Sequence, residues 1–103
     1  MTISSKERAT LRAEAHHLSP LVHVGHAGLT DALFQALDDA LRTHELVKVA
    51  LAKTVDVKAK DAAYAIAERL GADVVQTIGR TCTMYRENPD LPKKKGELPA
   101  WRA

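Results

Sequence analysis

The chain predicts an α/β domain, a single compact unit of order α-β-α-β-α-β-β with helices packed on a four-stranded mixed sheet. Three observations lead there. Runs of β-type residues alternate with helical periodicities before residue 74, the pattern of βαβ units with crossover connections. The last two runs, 74–78 and 81–86, are separated only by Gly79-Arg80. Strands joined so tightly form an antiparallel hairpin, which makes the sheet mixed. Finally, 103 residues with 46% hydrophobic and 27% charged content suit one globular domain with a real core.

Ser4 and Glu7 have capping-box spacing and start a first helix running to about His17. Leu11, Ala15 and Leu18 form its apolar stripe, and Lys6, Arg8 and Arg12 lie away from that stripe. Pro20 closes the connection, and Leu21 to Val24 reads as a short strand. Thr30 caps a second helix, with Asp31 in its first turn. Leu33, Leu37, Ala40, Leu41 and His44 follow one face to an end near Thr43, with Phe34 beside them in the core. On that face, His44 is expected to matter first for stability. Leu46 to Ala52 is the next strand, with Val47, Val49 and Leu51 pointing one way and Leu46, Lys48, Ala50 and Ala52 the other. Asp56 to Leu70 is an alanine-rich third helix with Ala59, Ala63, Ile66 and Leu70 as its stripe, ended by Gly71. Residues 1–86 are thus one domain. Residues 87–103 carry Pro89, Pro92, Pro99, Lys93-Lys94-Lys95 and Trp101, and are expected to be a flexible basic tail.

Val22-His23-Val24-Gly25-His26-Ala27-Gly28-Leu29-Thr30 reads as strand, Gly-x-x-Gly loop and helix start. Glycine can take positive φ in a tight turn, and it lets a ligand reach the main chain. The following helix start aims unpaired N–H groups at the same spot, an arrangement suited to phosphate. The same spacing also serves as a plain turn.

Composition excludes several classes. Fifteen Lys and Arg against 13 Asp and Glu give a net charge of +2, so charge placement matters more than total charge. Cys82 is the only cysteine, which rules out an intrachain disulfide and fits a cytoplasmic protein. No apolar run approaches the roughly 20 residues of a membrane span, and the N-terminus has no signal-peptide core. His23 and His26 straddle a strand end and a loop, and His44-Glu45 is followed by Lys48 where a zinc-protease helix needs histidine. Cys82 reads as a small buried hydrophobe. Without the Lys-Ser/Thr ending of a P-loop, nucleotide hydrolysis is not indicated. Neither an enzyme nor a metal or other cofactor is expected, nor a small-molecule substrate.

Lys6-Glu7-Arg8, Leu11, Ala15 to Leu18, Pro20, Val22 to Thr30, His44 to Val49, Val75 to Gly79 and Met84-Tyr85-Arg86 resemble the CRM domain. This is the chloroplast RNA splicing and ribosome maturation domain, here in its bacterial single-domain form, over about residues 3–86. The resemblance implies a fold similar to the C-terminal domain of translation initiation factor 3. It also implies an RNA-binding module associated with ribosomal RNA in precursors of the large ribosomal subunit.

On that reading the expected RNA-binding residues are Gly25, His26, Ala27, Gly28, Lys6, Arg12, His16, Lys48, Arg80 and Arg86. Each cation has a plainer alternative: Lys6, Arg8 and Arg12 as solvated helix face, Arg80 as a solubilised turn. Lys48 is harder to dismiss, because a lysine among apolar strand residues must snorkel outward or meet an anion. Tyr64, Tyr85, Phe34 and Trp101 are the only aromatics, so backbone or shape recognition is expected over base stacking. The chain departs from the family pattern at His26, where lysine is frequent, and at Ala50, where a second basic residue is common. The alternative function is a small protein-interaction module binding a ribosomal protein or assembly factor without direct RNA contact; on either reading the protein is expected to be a monomer.

Overall fold

The computed structural model describes residues 3–88. Its elements are α1 (Ser5–Ala15), β1 (Val22–Val24), α2 (Asp31–His44), β2 (Leu46–Leu51), α3 (Ala59–Leu70), β3 (Asp73–Ile78) and β4 (Thr81–Tyr85). The sheet order is β1-β2-β4-β3, with β1 parallel to β2 and both other pairs antiparallel. Element order and the mixed sheet are as the sequence predicts. Most of the expected tail, including Lys93-Lys94-Lys95 and Trp101, lies outside the described residues. Residues 87–88 do not begin it. The Asn88 backbone N–H donates to Glu45 Oε2 at 2.8 Å, and its side-chain amide donates to the Arg42 carbonyl at 2.8 Å.

Alternation along β2 decides the layers. Val47, Val49 and Leu51 are buried, while Leu46, Lys48 and Ala50 are only partly so. The buried set joins Val24, Cys82 and Met84 against Phe34, Leu37 and Leu41 of α2 and Ala62, Ala63 and Ile66 of α3. Full burial of Leu37, Leu41 or Ile66 stabilises the fold by about 2 kcal/mol each. Cys82 is in this layer, and burial pushes its thiol up to about 11, which leaves little thiolate for chemistry. The other sheet face is covered only in part. There Ile3 and Leu11 pack on Val75 and Tyr85, with Leu46 beside them.

Four expectations change. The capping box at Ser4 and Glu7 forms, but α1 stops at Ala15 and the chain turns through His16. The Leu18 N–H bonds back to the Ala15 carbonyl at 3.0 Å, so Leu18 leaves the stripe and is 40% exposed. Ile3 contributes to that small core instead. Helix α3 starts at Ala59 rather than Asp56, because Val55 is buried in the end of the main core and Val57 packs against it. Lys58 occupies the N-cap and makes no cap bond. His44 is exposed, paired with Thr43 Oγ1 at 2.8 Å, so no core packing depends on it. Glu45, at the end of α2, has φ 62° and ψ −50°, a strained conformation for a residue with a side chain.

Arg86 also departs from expectation. Its guanidinium donates to Asp38 Oδ1 at 2.8 Å, the Asp38 carbonyl at 3.1 Å and the Leu70 carbonyl at 3.0 Å. It therefore ties the end of the sheet to α2 and to the last turn of α3. The hydrogen bond from Arg86 and then that from Arg42 hold the Asp38 carboxyl below the ordinary range. A depressed folded value means Asp38 stabilises fully above its unfolded value near 4, and that contribution fades as pH falls through the folded value. Asp73 opposes it. Burial pushes its carboxyl up, so its ionised form costs stability at neutral pH and the cost vanishes in acid. We expect Arg86→Ala to lower unfolding free energy at pH 7 by about 1–2 kcal/mol. The variant should also lose less stability than wild type between pH 7 and about pH 3. Urea titrations at both pH values check this, and equal losses for the two proteins would contradict it.

Candidate functional site

Parallel pairing sets Val24 of β1 opposite Leu51 of β2, so both strands end at the same edge of the sheet. Strand β4 runs the other way, with Thr81 opposite Ala50, and the β3–β4 turn therefore reaches that edge too. Backbone bonds join the three connections. The Ala52 N–H donates to the Val24 carbonyl at 3.0 Å and the Leu51 N–H to the Arg80 carbonyl at 2.7 Å. Gly79 has φ +57° while Arg80 does not have positive φ, the glycine-first pattern of a II′ hairpin.

The Gly25–Gly28 loop is a tight turn, closed by the Gly28 N–H donating to the Gly25 carbonyl at 2.9 Å. His26 and Ala27 form its exposed tip. Gly28 has φ +75°, whereas Gly25 does not lie in the left-handed region, and a Cβ at either would meet nothing within 4 Å. Only Gly28 is therefore required by backbone conformation. At Gly25 the missing Cβ leaves main chain open to a ligand. The Thr30 N–H bonds to the Gly28 carbonyl at 3.1 Å, and Thr30 Oγ1 accepts the Leu33 N–H at 3.1 Å. This starts α2 directly behind the loop. Asp31 would repel an anion here, but Arg69 pairs with it at 2.8 Å while lying 4.2 Å over the Phe34 ring.

The register carries the site from this edge onto the open sheet face. His23, Ala50, Thr81 and Ile78 form one cross-strand row, and Lys48, Thr83 and Gln76 form the next. Beyond them the Leu46–Tyr85 pair lies beneath α1. His16, at the C-cap of α1, Lys48 and Gln76 help line a hollow of about 210 Å³ floored by Thr83. Lys48 snorkels as expected, donating from Nζ to the Leu18 carbonyl at 3.1 Å.

Gly25, His26, Ala27, Gly28 and Arg80 thus share one edge, with Lys48 and His16 on the adjoining face. Lys6 and Arg12 are exposed on α1. The first turns of α1 lie toward the opposite edge, where Arg8 Nε donates to the Val74 carbonyl at 3.2 Å, so Lys6 is not gathered with the loop. Arg86 is bound to Asp38 in the helical layer, also away from it. Among the described residues, the ion pairs are formed by Arg42, Arg69 and Arg86 with Asp38, Asp39 and Asp31. Lys48 and Arg80 are in none of them. Sequence reasoning passed over Lys53, Lys58 and Lys60, which follow β2 at the loop edge. The signal was present in the β-α-β order, since parallel strands bring both strand-to-helix connections to one edge.

Fold and site together define a small α/β domain with a glycine loop and unpaired cations gathered at one sheet edge. The chain belongs to the CRS1 / YhbY (CRM) domain family, whose model matches residues 3–86. It is 34% identical over 97 residues to the probable RNA-binding protein YqeI of Bacillus subtilis, covering 94% of this chain and 99% of that one. An RNA-binding protein of Haemophilus influenzae is 36% identical over 97 residues, with coverage of 90% and 98%. The solution structure of a hypothetical protein from Staphylococcus aureus superposes with a TM-score of 0.68 at 29% identity. That match covers 95% of this chain and all of the other.

The two glycines separate conformation from access. We expect Gly28→Ala to cost about 1–2 kcal/mol of stability, the penalty for a side chain in the left-handed region. Gly25→Ala should be neutral or stabilising by up to about 1 kcal/mol. Equal losses in thermal or urea unfolding would show that both positions are conformationally constrained.

Proposed function

We propose that this chain binds RNA through the Gly25–Gly28 loop, Arg80 and the adjoining face that carries Lys48 and His16. The observation that carries the reading is the convergence on one edge of a tight glycine turn, a helix start and cations that form no ion pair among the described residues. The names of the relatives point the same way. Following the family resemblance, the RNA is ribosomal, in precursors of the large subunit, and the bound protein assists their assembly as a cytoplasmic monomer. Apart from the His23 imidazole, the two outer rows of the open face carry no aromatic side chain, so contacts to phosphate and ribose dominate over stacking on bases.

Leu18 and Leu21 favour a second reading, since both are large apolar residues exposed at 40% and 50% on the α1–β1 connection. A ribosomal protein or assembly factor seated there would hold the chain on particles without RNA contact. Co-sedimentation with ribosomal particles separates the two: RNase treatment should release the protein, and retention after complete digestion would favour the protein partner.

The loop gives the sharper test, read as affinity for single-stranded ribosomal RNA fragments by variants shown folded by circular dichroism. We expect Gly28→Asp to be worst, since it adds a side chain and a negative charge beside the phosphate path. Gly28→Ala should follow, and His26→Ala should be mildest. Gly25→Ala is informative because nothing in the free protein opposes its Cβ, so weakened binding reports close approach by the ligand. Lys48→Ala should change stability by less than about 0.5 kcal/mol and reduce the slope of log affinity against log salt by about 0.7. A folded Gly28→Asp protein that binds as tightly as wild type would place the interface elsewhere.

A further inference from the structure

Between the start of α3 and the β3–β4 turn lies a recess of about 460 Å³ bordered by Lys58, Lys60, Arg80 and Asp56. Both lysines are exposed, and neither forms an ion pair among the described residues. Arg80 makes only a long 3.5 Å contact to the Ala52 carbonyl. Three cations thus face one carboxylate. Their placement works against the local helix. Lys58 stands at an N-cap without capping, and both ammonium groups sit at the positive end of the helix dipole. Asp61 in the first turn only partly offsets them. Helix formation does not explain these lysines, whereas an anion in the recess does.

The recess shares its edge of the sheet with the glycine loop. Arg80 belongs to both, because its carbonyl is bonded to the end of β2, which in turn is bonded to the end of β1. In the order β1-β2-β4-β3, the hairpin is two strand spacings from β1, roughly 10 Å. We infer that the recess holds a second phosphate of the same RNA strand that passes Gly25–Gly28. The strand then crosses the row of β-strand ends instead of following one strand down the sheet. This inference rests on the RNA reading above, to which it adds the direction of the bound strand and a second contact.

The test uses labelled polyuridylate oligonucleotides of increasing length and the full chain. The Lys58→Ala/Lys60→Ala variant should show a salt slope lower by about 0.7, the one phosphate of the recess. Its deficit should appear only for oligonucleotides long enough to reach both places. Lys58→Glu/Lys60→Glu should bind the longer ones at least tenfold more weakly. Thermal melting should be unchanged or raised, and single Lys58→Gln and Lys60→Gln variants, each weakening binding of the longer oligonucleotides several-fold, serve if a double variant unfolds. Wild-type affinity and slope in the lysine variants, with binding lost in Gly28→Asp, would overturn the second contact and leave the loop reading intact. Wild-type binding by both sets would overturn both.

Discussion

Parallel pairing of β1 with β2 is the constraint on which the rest of the arrangement depends. Two parallel strands cannot be joined by a turn, so a helix must carry the chain from the end of one to the start of the next. That helix is α2, and it begins where β1 ends. Because β2 ends at the same edge, α3 begins there as well. The antiparallel hairpin then adds its own turn beside them. Three connections that are distant in sequence, 25–30, 52–58 and 79–80, are thereby brought to one edge and joined by the bonds from Ala52 to Val24 and from Leu51 to Arg80. The glycine loop gains its surroundings from topology more than from its own residues.

Charge follows the same division. Arginines of the helical layer are used internally: Arg42 and Arg86 on Asp38, and Arg69 on Asp31. These pairs are structural, and the partly sheltered Arg86 pair also holds three elements together. Cations at the loop edge have no such partners among the described residues. A net charge of +2 thus conceals an uneven placement: among the described residues the ion pairs lie in the helical layer, while Lys53, Lys58, Lys60 and Arg80 gather without ion pairs at the loop edge. Such local excess governs attraction to a polyanion, since screening confines each charge to about 10 Å at ordinary salt.

What could be read from the sequence divides along contact range. Alternation in β2, the cap at Thr30, the tight hairpin turn at Gly79-Arg80 and the burial of Phe34 depend on neighbours a few residues away, and each was legible. So was the snorkelling of Lys48, because a lysine between Val47 and Val49 has only one direction open to it. Arg86 was not legible as an anchor, since its partner Asp38 is 48 positions distant and nothing local distinguishes it from a free cation at a strand end. The start of α3 was misplaced for a related reason. Asp56 is a sound cap in isolation, but Val55 and Val57 are drawn into the end of the core and keep the chain unwound until Lys58. Leu18 fits the helical period yet lies past the point where α1 turns away.

The end of α1 has the largest consequence of these local details. A helix continuing through Leu18 would carry its apolar stripe farther along the sheet, over the row of Lys48, Thr83 and Gln76. Termination at Ala15 leaves His16 at the rim of that row and turns His17 and Leu18 toward His44 and Leu46. The Leu18 carbonyl then accepts from Lys48, so the same turn that uncovers the sheet also orients its lysine. At the other end, the Ser4–Glu7 capping box and Ile3 fix where the helix starts, and hence how much of the sheet its 11 residues cover. Coverage of one sheet face is therefore set by a cap and a stop, and the uncovered rows adjoin the edge where the glycine loop lies. A longer first helix would run over Lys48 and Gln76, which with His16 line the hollow that the short helix leaves open.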